Sequence, residues 1–189
     1  MRHSRNSATI TEMSDLPHPA TLALAIRESA PLLLRFLEGF EESNRTVQTP
    51  GCPNHAAWTL GHCAYTMART IQLIGGPPPC GRDFSPTPTS SSFRIDDIVK
   101  DSTPRDDPTG YPSLERSRAI FCDATEALAH VIESRSAESL TESVSWGDRP
   151  IRIDALIVRL CFHNGMHAGQ LTDLRRSLGF ARVLPLSRR

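Results

Sequence analysis

Apolar residues recur at helical steps in four separate stretches of this chain, and no stretch carries the alternation of a strand. In the first stretch, from about Ala20 to about Ser43, Ile26, Leu33, Leu37 and Phe40 fall on one face, with Pro31 inside the run. A proline there removes a backbone donor and crowds the preceding turn, so a kink or a restart is expected at Pro31. The second, from about Pro53 to Ile74, opens behind Pro50-Gly-Cys-Pro53 and closes at Gly75-Gly76-Pro77, ordinary punctuation for a helix end. The third reads from Ser113 to about Ser134, with Leu114, Phe121, Thr125, Leu128 and Ile132 along its apolar line. The fourth, from about Ile153 to Leu178, stops at Gly179, where a glycine end cap belongs.

Between the second and third stretches lies a connection from Pro77 to Pro112, rich in proline and serine, in which only Phe93 to Val99 reads as a short helical turn. A connection that long in a small domain is either functional or a crossover over the body of the fold, and a crossover is expected here. Ala137 to Val144 reads as a short helix or turn leading into Ser145-Trp-Gly-Asp-Arg-Pro150. Four amphipathic helices in 189 residues predict an all-α fold, a four-helix bundle over residues 19–180. A polar, frayed arm over residues 1–18 and a short tail over 181–189 would flank it.

Charge narrows the functions. Lys and Arg total 21 and Asp and Glu total 21, with no basic stripe interleaved with aromatics, so a nucleic-acid partner is not expected. No apolar run reaches the roughly 18 residues of a membrane span, and the amino-terminal residues lack the apolar core of a secretory signal. The five cysteines (Cys52, Cys63, Cys80, Cys122 and Cys161) form no CxxC pair and no even framework, which fits reduced thiols in a cytoplasmic protein.

The chemistry concentrates on histidines. On the fourth helix His163 and His167 stand one turn apart, about 40° from each other and inside the stripe of Leu156, Leu160, Leu171 and Leu174. Two imidazoles on a core-facing stripe need several hydrogen-bond partners if they only pack, whereas one cation satisfies a nitrogen of each. The i,i+4 spacing lets those nitrogens converge, as in zinc-binding HExxH helices, but no Glu follows His163, so a zinc-protease base is missing. The opposite face carries Gly165 and Gly169 beside Val158 and Phe162. Glycines inside a helix cost about 1 kcal/mol each relative to alanine, so a close neighbour is expected there, a second subunit or the long connection.

On the second helix His55 and His62 share a face with Trp58, Thr59, Tyr65, Thr66 and Arg69, opposite Ala57, Leu60, Ala64, Met67 and Ile71. Two readings stand for that face: a polar pocket into which His62 points, or a solvated surface. Trp58 and Tyr65 lean toward the pocket, since large aromatics are seldom left in water. Cys63 and Cys161 adjoin His62 and His163, but neighbouring helical positions point about 100° apart, so neither should share a cation with its neighbour.

The segments AAWTLGHCAYTMART (Ala56 to Thr70) and FHNGMHAGQLTDLRRSLG (Phe162 to Gly179) resemble the DinB/YfiT-like superfamily of small helical bundles, which is unrelated to the DNA polymerase sharing the name. Trp58 and His62 match its W-x-x-x-H element, and His163, His167, Gly169, Gln170, Leu174, Arg175, Leu178 and Gly179 match its second. The resemblance implies one divalent metal held by His62, His163 and His167, zinc or nickel for three imidazoles, with a position left for water or substrate. It further implies a metal-dependent enzyme transferring a low-molecular-weight thiol to a small electrophile, as in detoxification or stress defence. Trp58, Thr59, Tyr65 and Thr66 would line its pocket, and the family's habits and the glycine patch together imply a homodimer. Two alternatives remain: a hydrolase using a metal-bound water, for which Asp96, Asp97, Asp106 or Asp107 would have to fold back as a base, and a non-catalytic metal or small-ligand binder.

Overall fold

The computed structural model describes residues 16–78, 81–87 and 89–183. Most of the expected amino-terminal arm and the end of the tail therefore lie outside the described residues. The fold is all-α, built on four helices: α1 (Pro19–Arg35), α2 (Ala56–Leu73), α3 (Leu114–Glu133) and α4 (Ile153–Ser177). Packing runs from α2 to α3, from α3 to α1 and from α1 to α4, while α4 and α2 meet over a shorter stretch. That less closed side of the bundle is where the histidines gather. Ile26, Leu33, Leu60, Met67, Phe121 and Leu128 are fully buried between the helices.

Local chemistry sets the helix ends. His55 caps α2, its Nδ1 accepting the backbone N–H of Trp58 at 3.1 Å, and Ser113 caps α3 through the N–H of Arg116. Gly75 and Gly179 take φ of 83° and 74° just past α2 and α4, the left-handed step that ends a helix at little cost for glycine. The first helix continues through Pro31 but ends at Arg35, well before Ser43. The chain then turns at Gly39, φ 86°, and Leu37 and Phe40 remain buried in the core without being helical. Their helical spacing was a property of the burial pattern, not of a continuing helix.

Short strands occur where none was expected. Phe84–Ser85 (β1) pairs in parallel with Phe93–Arg94 (β2), followed by a single helical turn, Ile95–Ile98. A 3-10 turn at Ser139–Thr141 leads into an antiparallel hairpin, Ser143–Trp146 (β3) with Arg149–Arg152 (β4). Its two-residue loop is Gly147-Asp148, with Gly147 at φ 63°, the backbone such tight hairpins require.

The long connection lies across the bundle, as a crossover should. Arg45, only 7 % exposed, holds its far end by donating to the carbonyls of Pro108 and Pro112 at 2.6 and 3.1 Å. Near the middle, Phe93 and Ile98 are fully buried against α2 at Gly61. A Cβ at Gly61 would stand 2.6 Å from Phe93 Cε1 and 3.0 Å from Ile98 Cγ2, so only glycine admits this approach without displacement.

Candidate metal centre

Gly61 brings the connection close to the next residue, His62. Its Nδ1 lies 2.7 Å from the carbonyl oxygen of Ile98, which can only accept, so the proton sits on Nδ1 and Nε2 carries a lone pair. Trp58 stacks on the imidazole, with ring centroids 4.5 Å apart and planes 8° from parallel. The indole is itself tied to the connection, its Nε1 donating to Ser102 Oγ at 2.9 Å. On α4, His167 Nδ1 donates to Gln170 Oε1 at 2.8 Å, and the same oxygen accepts from Asn54 Nδ2 at 3.0 Å. His167 Nε2 is then also a lone pair.

The three Nε2 atoms converge. His163 Nε2 stands 3.1 Å from that of His62 and 3.2 Å from that of His167. Imidazole nitrogens about 2.0–2.1 Å from a tetrahedral ion would be separated by about 3.3 Å, so both short edges match a shared cation. A proton on His163 Nε2 could point at only one of its two neighbours and would leave the other neighbour's lone pair buried without a donor. The donor set therefore fits a divalent metal. His163 Nδ1 is buried without a hydrogen-bond partner, as is the adjacent Asn164 Oδ1, so His163 is the least constrained of the three rings.

Burial keeps these imidazoles neutral. Desolvation, with the neighbouring rings adding to it, lowers His163 to about 4 and His167 to about 3, and desolvation also lowers His62. Neutral imidazole is the form that ligates a metal. Cys63 and Cys161 lie outside the cluster, and burial raises both thiols above their usual range.

The cluster forms part of the wall of a cavity of about 760 Å³ between α2, α4, the connection and the β3–β4 hairpin. Of the polar and aromatic residues picked out beside His62 on α2, Trp58, Tyr65, Thr66 and Arg69 line it. The Thr66 hydroxyl is already committed to the carbonyl of His62 at 2.7 Å. Thr59 does not line the cavity: it is fully buried and its Oγ1 has no partner. His55 is buried against Tyr111, away from the cluster.

Sequence reasoning missed several contributors: Asn54, the Ile98 carbonyl, Lys100, Ser102, the hairpin with Trp146 to Arg149, and Arg159. A backbone carbonyl leaves no trace in residue types. The hairpin did leave one, since Gly-Asp between Ser143-Val-Ser-Trp146 and Arg149-Pro-Ile-Arg152 is a two-residue turn signal. Arg159 was visible too, one turn before His163 on the same face.

The glycine patch on α4 faces outward. Nothing lies within 4 Å of a Cβ built on Gly165 or Gly169, so the long connection is not their close neighbour. Beside them Val158, Phe162 and Met166 are 58 %, 74 % and 44 % exposed. Among the described residues no helix is long and apolar enough to cross a membrane.

No curated protein and no solved structure matches the chain. The family model described as the DinB superfamily matches residues 25–171, a span containing all three histidines, and the chain belongs to that superfamily.

Proposed function

We propose that this protein is a metal-dependent transferase that joins a low-molecular-weight thiol to a small electrophile. The observation that carries the reading is the set of three neutral imidazoles converging at one point in the wall of a large cavity whose lining, among the described residues, offers a single carboxylate, Asp148. His62, His163 and His167 would hold a zinc or nickel ion, and three protein ligands leave room for a further one. When bound, the ion would supply the positive charge that favours thiolate over thiol near neutral pH.

The chain's own residues prepare that site. Ile98 and Gln170 keep the protons of His62 and His167 on Nδ1, and Trp58 fixes the plane of the His62 ring. Val99, Leu73, Leu160, Met166 and Trp146 give the cavity apolar wall, suited to a partly desolvated thiolate and an uncharged reacting carbon. In the transfer, a bond forms between sulfur and that carbon, the thiol proton goes to solvent, and the electrophile's leaving group departs with the electron pair of the broken bond.

Hydrolysis would need a proton acceptor near the attacking water. Most acidic residues of the connection are engaged elsewhere, Asp83 with Arg116, Asp96 with Arg94, Asp97 with Arg105, Asp106 with Thr46 and Asp107 with Thr109, and Asp101 is exposed and outside the cavity lining. Asp148 lies at the exposed hairpin turn. The lining thus favours transfer.

Elemental analysis of untagged protein prepared without chelator, beside a His163→Ala, His167→Ala double variant, tests the centre. The expected outcome is near-stoichiometric zinc or nickel, lost in the variant, with turnover of an electrophile panel only when thiol is added. Metal without turnover would leave a binding protein, and turnover by water alone would identify a hydrolase. No bound metal and no uptake from a panel of divalent ions would overturn the reading.

A further inference from the structure

The chain as a whole is electrically balanced, but its cavity is not. Among the described residues four basic side chains line it, Arg69, Lys100, Arg149 and Arg159, against Asp148 as the one carboxylate. They come from four different segments. Arg69 lies two turns beyond His62 on α2, and Arg159 one turn before His163 on α4. Lys100 follows the helical turn that supplies the Ile98 carbonyl, and Arg149 follows the hairpin loop. By helical register Arg69 falls about 20° from His62 and Arg159 about 40° from His163, so both project on the histidine faces.

Elsewhere on the surface arginines are mostly spoken for: Arg27 binds Glu126 and Glu133, Arg152 binds Asp154, and Arg176 binds Asp173. Among the described residues, none of the four cavity cations makes an ion pair or a side-chain hydrogen bond, and neither does Asp148. Four unpaired cations facing one concavity with partly apolar walls focus a positive potential there. Guanidinium forks match the planar, divided charge of a carboxylate or phosphate.

We infer that the substrate recognised at this site is a polyanionic small molecule, carrying two or more carboxylate or phosphate groups that seat on Arg69, Lys100, Arg149 and Arg159 while its reacting end reaches the three histidines. The inference rests on the cavity being the substrate site of the proposed transferase, but the binding it requires is separable from the metal. Trp146 and the apolar walls would cover the uncharged part of the molecule, and the open rim would admit its charged end from solvent.

The chain's two tryptophans, Trp58 and Trp146, both line the cavity, so intrinsic fluorescence reports its occupancy. Wild-type protein would be titrated with tricarballylate as the carboxylate probe, fructose 1,6-bisphosphate as the phosphate probe, and the neutral triamide of tricarballylate. The expected result is saturable change with at least one anion, none with the triamide, and weaker binding at higher salt. Response to tricarballylate alone assigns carboxylates, and response to fructose 1,6-bisphosphate alone assigns phosphate. Arg159→Gln and Arg69→Gln should each raise Kd by roughly 3- to 10-fold, as expected for exposed charge-assisted contacts. Arg176→Gln, on α4 but outside the cavity, should not. The same titration of the His163→Ala, His167→Ala variant should retain the response, so loss of the metal reading would not remove this one. Equal response to anion and triamide, no response to any probe, or Kd values unmoved by both cavity substitutions would overturn it.

Discussion

Gly61→Ala tests whether the connection holds His62 in place for metal binding. In an open helix interior the change would stabilise by about 1 kcal/mol through propensity. Here the new methyl would meet Phe93 at 2.6 and 2.7 Å and Ile98 at 3.0 Å, whereas carbon atoms rest at about 3.5–4.0 Å. Both neighbours are fully buried and cannot swing aside. Phe93 is also held by its N–H to the carbonyl of Asp83 at 2.8 Å. Overpacking of this kind costs about 1–3 kcal/mol, so the net change is a loss of up to about 2 kcal/mol. The displacement needed to clear the methyl is about 1 Å at Phe93 and about 0.5–1 Å at Ile98, whose carbonyl moves with it. Added to the present 2.7 Å separation from His62 Nδ1, that movement stretches the pair to about 3.2–3.7 Å, the end of the hydrogen-bond range or beyond it. Loss of such a partner to a ligating histidine lowers metal affinity by about 10- to 100-fold. Competition against a chromophoric chelator gives the affinity, and thermal unfolding of the metal-free protein gives the stability. Gly165→Ala is the matched control, with nothing within 4 Å of its Cβ. It should gain up to about 1 kcal/mol and leave affinity unchanged. If Gly61→Ala matched that control in both measurements, the connection would be a passive cover and its role in orienting His62 would be refuted.

Stability of the metal-free protein should fall as pH drops from about 6.5 toward 4. Burial lowers His55 to about 4, so in that window this residue alone makes the unfolded chain bind a proton that the folded one refuses, adding about 1.4 kcal/mol per pH unit to what the likewise depressed His62, His163 and His167 contribute. Denaturant melts across the range should show this slope, reduced by about 3 kcal/mol in total in His55→Asn, which keeps a capping oxygen for α2; an unchanged slope would reject the assignment. Arg45→Ala should cost about 3 kcal/mol, because it strips donors from the carbonyls of Pro108 and Pro112 and unties the end of the connection, and a shift in the unfolding midpoint below a third of that would count against it. We propose that a second copy of the chain covers Val158, Phe162 and Met166 beside the α4 glycines; sedimentation should then find a dimer that Phe162→Glu converts to monomer, and a monomeric wild type would dispose of it.

The helices and two of the three histidines were readable because each is a one-dimensional pattern. His163 and His167 declare themselves by lying one turn apart inside a leucine stripe, and the helix ends are marked by Gly75 and Gly179. His62 was different. Periodicity left its face even between pocket and solvent, because the residue that buries it, Ile98, lies 36 positions away in a stretch of no regular pattern. Only the family resemblance supplied it as a third ligand. In the structure the α2 face is covered by a loop strap rather than by another helix, and α2 is buried on nearly every side from Ala56 to Ala64. A helix wrapped in this way loses the amphipathic contrast that sequence reading depends on.

The same physical fact links fold to site. Glycine at position 61 costs helix stability, yet without it the connection could not lie near enough for its carbonyl to reach His62. With it, the connection orients the His62 imidazole through Ile98 and braces its stacking partner Trp58 through Ser102, then continues to Lys100 at the cavity rim. The part of the chain with the least legible pattern therefore does three jobs that neither helix could do alone: it covers the bundle's less closed side, fixes an imidazole, and places a charge where an anion would enter. Because these jobs share one short run, Ile98 to Ser102, substitutions there should alter metal affinity and anion affinity together, whereas Arg159→Gln on α4 should alter only the second. Parallel loss of both affinities in an Ile98→Gly variant, with only anion binding lost in Arg159→Gln, is the pattern this coupling requires.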